Sequence, residues 1–121
     1  MSKNLEIALL LDFYGDMLTE KQRNMVDYYY NDDLSLSEIA ENEGITRQGV
    51  RDSIKRAESQ MLEMEERLGL SARFRRMCED AQEIYSLAQV IRSVSDYPGA
   101  PREINESAAR IMALADMLQK N

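Results

Sequence analysis

The spacing of apolar residues constrains the fold of this chain more than any other feature of its sequence. Apolar side chains recur three or four positions apart along nearly the whole length, and no alternating run of β-branched residues interrupts them. Such spacing places apolar side chains on one face of a helix. The two prolines, Pro98 and Pro101, mark the one clear break in the pattern. The sequence therefore predicts an all-α protein without strands.

The first predicted helix, residues 5–16, is apolar around most of its circumference. A helix of this kind is stable only when more than one of its sides is covered. We therefore expect it to pack on both sides, either against the C-terminal helices or against a second copy of the chain.

Capping residues predict where the next three helices begin. Thr19 and Ser35 each stand three positions before a glutamine or glutamate, as in a capping box. Thr46 is a third candidate N-cap, and Gly44 just before it can adopt the positive φ that ends many helices. A short helix, a glycine turn and a second helix are the pattern of a helix-turn-helix.

The second helix of this motif is predicted to be long. Its apolar spacing continues over residues 47–68, which we take as the recognition helix; Gly69 then ends it, and Ser71 is the candidate cap of the helix that follows. We therefore divide the chain into residues 1–68, the N-terminal helix plus helix-turn-helix, and residues 69–121. The second part is predicted to be a C-terminal helical extension packed with the first as one unit.

Two helices are predicted in this extension, one on each side of the break at residues 96–101. Their apolar spacing predicts two buried stripes, one made of Phe74, Met77, Cys78, Ala81, Ile84, Tyr85, Ala88, Ile91 and Val94, and one made of Ile104, Ala108, Ile111, Leu114 or Ala115, and Leu118. On this interpretation Cys78 is a buried structural thiol.

The charge of the chain is unevenly distributed. The whole sequence carries a formal net charge of −7, which repels nucleic acid at long range. Residues 45–57 are the exception, because they contain four basic side chains against Asp52 alone, a net charge of +3. Any binding of nucleic acid is therefore expected to come from this short segment.

The start of the recognition helix carries side chains that suit DNA. Arg47, Gln48 and Arg51 are predicted to face away from the core. Arginine can pair with guanine, and glutamine with adenine, through two hydrogen bonds, while Lys55 and Arg56 can contact phosphates. The alternative is a solvated helix face, because four cations are few beside the roughly 6 to 10 phosphate contacts of a strong DNA binder.

The sequence offers little for catalysis or metal binding. It contains no histidine, so nothing activates its one cysteine, Cys78, and no glycine-rich phosphate loop is present. Asp32 and Asp33 lack the further oxygen ligands and the glycine of a calcium loop. We therefore expect a protein that is not an enzyme and has no catalytic site, metal site or cofactor.

Membrane insertion and export are not indicated either. The most apolar stretch near the N-terminus, residues 7–11, is far shorter than the ~20 residues that span a bilayer. It also lacks the basic flank and the small-residue cleavage site of a signal peptide. We expect a cytoplasmic protein without a membrane partner.

Four segments resemble region 4 of sigma factors: LTEKQR at residues 18–23, YYY at 28–30, LSLSEIA at 34–40 and RQGVRDSIKR at 47–56. With LDFYG at residues 11–15 ahead of them, the chain resembles more narrowly the YlxM family of small bacterial proteins. The resemblance covers about residues 5–70. The family pattern often has an aromatic residue at the position of Arg51, and the arginine here makes the exposed face more basic.

This resemblance implies an association with the signal recognition particle pathway, because genes of the family neighbour the gene of the particle's targeting GTPase. Two functions stay open from the sequence: a regulator that binds DNA through its recognition helix, and an adaptor that binds the signal recognition particle protein or its RNA without a DNA operator. In both cases we expect a homodimer, with the N-terminal helix and residues 71–121 as the dimerisation or docking surface.

Overall fold

Six α-helices account for most of residues 3–120, which are the residues that the computed structural model describes. They are α1 (Leu5–Tyr14), α2 (Glu20–Tyr30), α3 (Leu36–Glu43), α4 (Arg47–Leu68), α5 (Leu70–Val94) and α6 (Arg102–Lys120), and a 3-10 turn, Gly15–Met17, follows α1. No residue from 3 to 120 forms a strand, so the predicted all-α fold is confirmed. None of the helices in this range is long and apolar enough to cross a lipid bilayer.

The chain divides into two compact units, Met1–Ser71 and Ala72–Asn121, which we call unit 1 and unit 2. The division falls three residues after the predicted boundary at residue 68. The predicted packing of the extension with the first part as one unit stays a prediction.

The helix starts in unit 1 follow the caps that the sequence predicts. The Thr19 hydroxyl accepts a hydrogen bond of 3.2 Å from the backbone amide of Gln22, whose side chain in turn accepts from the Thr19 amide, so both halves of a capping box are formed. Ser35 forms the equivalent box at the start of α3. At the start of α4, the Thr46 hydroxyl accepts from the amide of Gly49 at 2.9 Å. These three predictions are confirmed.

The core of unit 1 lies around α4, which packs against α1, α2 and α3. Apolar side chains from all four helices and the turns between them are buried there: Ile7, Leu10, Leu11, Tyr14, Leu18, Met25, Val26, Tyr29, Leu36, Ile39, Ala40, Val50, Ile54, Ala57 and Met61. On α1, Leu5 and Leu9 are exposed to solvent in the single chain. The predicted packing on that side stays a prediction.

The junction between α4 and α5 is built differently from the prediction. Gly69 ends α4 with a φ of 64°, and α5 begins at the next residue, so Ser71 lies inside the first turn of α5 and does not cap it. The amide of Leu70 donates to the Tyr14 hydroxyl at 3.1 Å, and the amide of Ser71 donates to a Glu65 carboxylate oxygen at 3.0 Å. The cap of α5 therefore comes from α1 and α4, because only Gly69 stands between the end of α4 and the start of α5.

In unit 2, α5 and α6 run antiparallel. The side-chain amide of Gln119 donates to Gln82 at 3.2 Å, and that of Asn105 donates to the carbonyl of Ser95 at 3.1 Å. Among the described residues of unit 2, the buried apolar side chains are all alanines: Ala81, Ala88, Ala108 and Ala115.

The prediction of two fully buried stripes in unit 2 is therefore wrong for the large residues. Seven of them are between 40% and 47% exposed: Met77, Ile84, Ile91, Ile104, Ile111, Leu114 and Leu118. Val94 is more exposed still, and Phe74, Tyr85 and Cys78 are half-buried, so Cys78 is not the fully buried thiol that was predicted. Two helices enclose only the side chains on their line of contact, and the flanking residues stay accessible in the single chain.

Candidate nucleic-acid interface

The turn between α3 and α4 is set by a left-handed glycine. Gly44 ends α3 with a φ of 68°, and its amide donates to the carbonyl of Ala40. A Cβ at this position would meet nothing within 4 Å, so glycine is required here for its conformation and not for space. The amide of Ile45 also donates to Ala40, at 3.2 Å, which closes the turn before Thr46 starts α4.

Helix α4 has one buried side and one exposed side at its N-terminal end. Val50 and Ile54 are fully buried in the core of unit 1. The five predicted site residues are all exposed: Arg47, Gln48, Arg51, Lys55 and Arg56. The structure therefore holds the predicted basic residues at the surface by burying their apolar neighbours in the helix.

These five residues do not form a single cluster. Arg47, Gln48 and Arg51 line one shallow hollow of 180 Å³ together with Leu36, at the start of α3. Lys55 lies one turn beyond Arg51 on the same side of the helix, since residues four apart are neighbours on a helix surface. Arg56 lies about half a turn around from Arg47, so it belongs to a different side of α4.

The cations of this surface are not paired with carboxylates of the chain. Among residues 3–120, Arg47, Arg51, Lys55 and Arg56 take part in none of the ion pairs that form. Elsewhere on the surface, arginines such as Arg67 do pair with a carboxylate one turn away. Unpaired cations can bind an anion without first breaking an internal ion pair.

Two contacts of this surface were not predicted from the sequence. The side-chain amide of Gln48 donates to the carboxylate of Asp52 at 2.9 Å, a contact that the spacing of four residues could have indicated. Leu36 forms the apolar wall of the hollow, and nothing in its local sequence marks that role. Asp52 therefore restrains Gln48 and places one negative charge among the cations.

Gly49 stands where a side chain would crowd the start of α4. A Cβ added there would lie 3.1 Å from the Thr46 hydroxyl and 3.7 Å from the side chain of Ile45. The tight neighbour is thus the cap of the helix itself. A glycine costs about 1 kcal/mol of helix propensity relative to alanine, and here it leaves room for the capping hydrogen bond.

Nothing around α4 indicates a metal centre. Within the part of the chain that the structure describes, no group of three or more histidine, cysteine, aspartate or glutamate side chains is arranged to hold a metal ion. The chemistry that the surface offers is hydrogen bonding by guanidinium and amide groups and the attraction of anions.

Comparison with known proteins places this fold in a family. The model of the UPF0122 family, described as "Putative helix-turn-helix protein, YlxM / p13 like", matches residues 1–95, which include α1 to α5.

Relatives named UPF0122 protein extend the similarity over most of the chain. The protein of Desulforamulus reducens is 40% identical over 116 residues, which is 94% of each chain. That of Thermoanaerobacter sp. strain X514 is 42% identical over 110 residues, 91% of this chain and 94% of the relative. That of Acetivibrio thermocellus is 51% identical over 84 residues, 69% of this chain and 72% of the relative.

Proposed function

The chain belongs to the UPF0122 family, and from that premise we propose that it is a cytoplasmic regulator that binds DNA through α4, in association with the signal recognition particle pathway. The observation that carries the proposal is the surface at the N-terminal end of α4. Arg47, Gln48 and Arg51 are exposed side by side there, and the two arginines form no ion pair within residues 3–120. A helix-turn-helix contacts base edges with this part of its second helix.

The side chains of this surface suit the major groove. A guanidinium can donate two hydrogen bonds to guanine, as Arg47 and Arg51 would, and the amide of Gln48 can pair with adenine. Gln48 would exchange its hydrogen bond to Asp52 for one to the base. A helix in the groove has a phosphate backbone on each side, and Lys55 and Arg56 leave α4 about 100° apart, so they would contact different backbones.

The charge of the protein sets the strength of this binding. With a net charge of −7, the chain as a whole is repelled by DNA, and the cations of α4 would oppose that repulsion locally. Each phosphate contact contributes about −0.9 to the slope of log affinity against log salt concentration. Binding through Arg47, Arg51, Lys55 and Arg56 should therefore be modest and strongly dependent on salt.

An adaptor function is the competing proposal, favoured by the acidity of the surface. Helix α3, which would lie beside the DNA backbone, exposes Glu38 and Glu41. In this function the helix-turn-helix fold would bind the signal recognition particle protein or its RNA, and no DNA operator would exist. The resemblance to the YlxM family supports the association with the particle in either case.

A capture experiment with three forms of the full chain separates the two functions. Each form is recovered from lysate of the source bacterium after crosslinking. The three forms are the wild type, a double variant with Arg47→Ala and Arg51→Ala, and a matched control with Arg75→Ala and Arg92→Ala. Bound DNA and RNA are sequenced and bound proteins are identified. The control removes the same two charges from exposed positions of α5.

We expect discrete DNA sites with the wild type and the control, and their loss in the α4 variant. If DNA recovery is the same for all three forms, or no DNA site is enriched, the DNA-binding proposal fails. Recovery of particle protein or particle RNA without DNA would instead establish the adaptor.

A further inference from the structure

Asp52 lies in the middle of the exposed side of α4. It is two positions from each of the buried residues Val50 and Ile54, so it leaves the helix about 160° around from both. Lys55 lies about 60° around the helix axis on one side of it, and Arg56 about 40° around on the other. All three charged side chains are exposed. The acidic residue of this surface is therefore flanked by cations on both sides.

The carboxylate of Asp52 has an uncharged hydrogen-bond donor in the free chain. It accepts from the side-chain amide of Gln48 at 2.9 Å. Within residues 3–120 it forms no ion pair with any of the cations that lie within four positions of it. Further along α4, Arg67 does pair with the carboxylate of Glu63, four positions away. The Asp52 carboxylate is thus held by Gln48 and not by the neighbouring cations.

Binding of DNA through α4 would remove this donor. Gln48 would turn its amide to a base, and the carboxylate of Asp52 would face the same groove without its partner. An acceptor that is desolvated and left unpaired weakens binding, and the effect is larger for a charged acceptor. The phosphates on either side of the groove are anions and cannot replace the donor. A hydrogen-bond donor on the edge of a base can.

On the premise that α4 binds DNA, we propose that Asp52 is a specificity-determining residue that accepts a hydrogen bond from the amino group of a cytosine. In the major groove, amino groups are presented by cytosine and adenine alone. Adenine carries the acceptor N7 beside its amino group, and an acceptor repels a carboxylate. Cytosine presents its N4 amino group with no acceptor on its own edge, so it is the base that suits Asp52.

The geometry of α4 sets the position of this cytosine relative to the adenine that Gln48 would contact. Residues four positions apart are separated by about 6 Å along a helix axis, and successive base pairs by about 3.4 Å along DNA. The hydrogen bond between Gln48 and Asp52 shows that the two side chains are neighbours on the helix surface. The cytosine is therefore expected about one or two base pairs from the adenine.

The same carboxylate lowers the affinity for DNA of the wrong sequence. Such DNA offers phosphates but no amino group at the right place, so Asp52 adds repulsion without a hydrogen bond. Its charge also offsets one of the four cations of residues 45–57. Discrimination between sequences increases when an unsuitable partner is repelled as well as a suitable one attracted.

Selection of binding sites from random-sequence double-stranded DNA tests this role with three forms of the purified full chain. They are the wild type, Asp52→Asn and a matched control, Asp12→Asn. Asparagine has the size of aspartate and keeps an acceptor for Gln48, but it is uncharged and can pair with adenine through two hydrogen bonds. The control changes an exposed residue of α1 two positions before Tyr14, which contacts Glu65 toward the far end of α4.

The wild type and the control should enrich the same site, with cytosine preferred about tenfold at one position near the adenine of Gln48. Asp52→Asn should replace that preference by one for adenine and leave the other positions of the site unchanged. In fluorescence anisotropy, Asp52→Asn should bind random-sequence DNA about two- to fivefold more tightly than the wild type, because one repulsive charge is gone. Far-UV circular dichroism checks that each form is helical.

Two results overturn this role of Asp52, and they differ in what they say about α4. If the wild type enriches a site and Asp52→Asn enriches the same base at every position, Asp52 reads no base, while DNA binding by α4 stands. If the wild type enriches no site at all, DNA binding by α4 fails, and the role of Asp52 fails with it.

Discussion

Units 1 and 2 have the same three- and four-residue spacing of apolar side chains in their sequences, but they differ in the size of the side chains that they bury. In unit 1, side chains as large as Tyr14, Ile54 and Met61 are fully buried, whereas the buried apolar residues of unit 2 are alanines. The difference is in the number of helices that meet. Within unit 1, three helices pack around α4, whereas within unit 2 the large side chains of α5 and α6 flank the buried alanines.

The two units are suited to different functions. A helix held on several sides is a rigid support, and α4 presents Arg47, Gln48 and Arg51 from such a support. A helix pair with an uncovered apolar face is suited to bind another protein. On our proposal, unit 1 contacts DNA through α4.

The largest expected difference between the units comes from truncating one isoleucine in each. Ile54→Ala leaves a cavity in the closed core of unit 1 and should lower the free energy of unfolding by about 3 kcal/mol. Ile111→Ala, at a position already 40% exposed, should cost less than about 1 kcal/mol where the chain is a monomer. Urea unfolding of both variants at low protein concentration measures the difference. Equal losses would contradict the contrast between a closed and an open core.

A smaller effect is expected at the polar contact that ends unit 1. The Tyr14 hydroxyl donates to Glu65 at 2.6 Å and accepts from the amide of Leu70, so Tyr14→Phe removes the acceptor of the Leu70 amide and one of the donors to Glu65. The cost should be about 1–3 kcal/mol. The control Tyr97→Phe, at an exposed position of unit 2, should change stability by less than about 0.5 kcal/mol. Thermal or urea unfolding that shows no difference between them would rule out this role of Tyr14.

The smallest effect is a dependence of stability on alkaline pH. Burial, together with the hydrogen bond to Glu65, raises the pKa of Tyr14 above its usual 10.0. Burial and the hydrogen bond to Glu58 also raise the pKa of Tyr30. Both phenols stay protonated in the folded chain at a pH where they ionise in the unfolded chain. Stability should therefore be constant below about pH 10 and decrease as pH rises toward the folded pKa values.

Tyr14→Phe should reduce this decrease without abolishing it, because Tyr30 remains. Unfolding by urea between pH 8 and pH 11 measures the slope. A variant whose stability falls with pH as steeply as that of the wild type would show that the pKa of Tyr14 is not raised by folding.

Features that depend on neighbouring residues could be predicted from the sequence. The caps Thr19, Ser35 and Thr46 lie within three residues of the amides that they bind, and Gly44 ends a helix through its own φ. The exposure of the α4 arginines follows from the apolar positions between them. Such features need no knowledge of which helices meet.

Features that depend on distant residues could not be predicted. Periodicity shows that α5 and α6 have apolar stripes, but it does not show how many helices cover them, so Ile84 and Ile111 were expected to be fully buried. The cap of α5 joins Tyr14 to Glu65 and Leu70, more than fifty positions along the chain, and no local pattern marks that contact.

The most direct test of the proposed function is the salt dependence of DNA binding by the purified chain. Fluorescence anisotropy with random-sequence double-stranded DNA gives the affinity of three proteins. They are the wild type, the double variant with Arg47→Ala and Arg51→Ala, and the control double variant with Arg75→Ala and Arg92→Ala. If α4 binds phosphates with its four cations, the slope of log affinity against log salt should be about −3 to −4, and the α4 variant should reduce its magnitude by about 2. The control should keep the wild-type slope. The same slope and affinity in all three proteins, or no binding at low salt, would contradict the assignment of α4 as the DNA-binding surface.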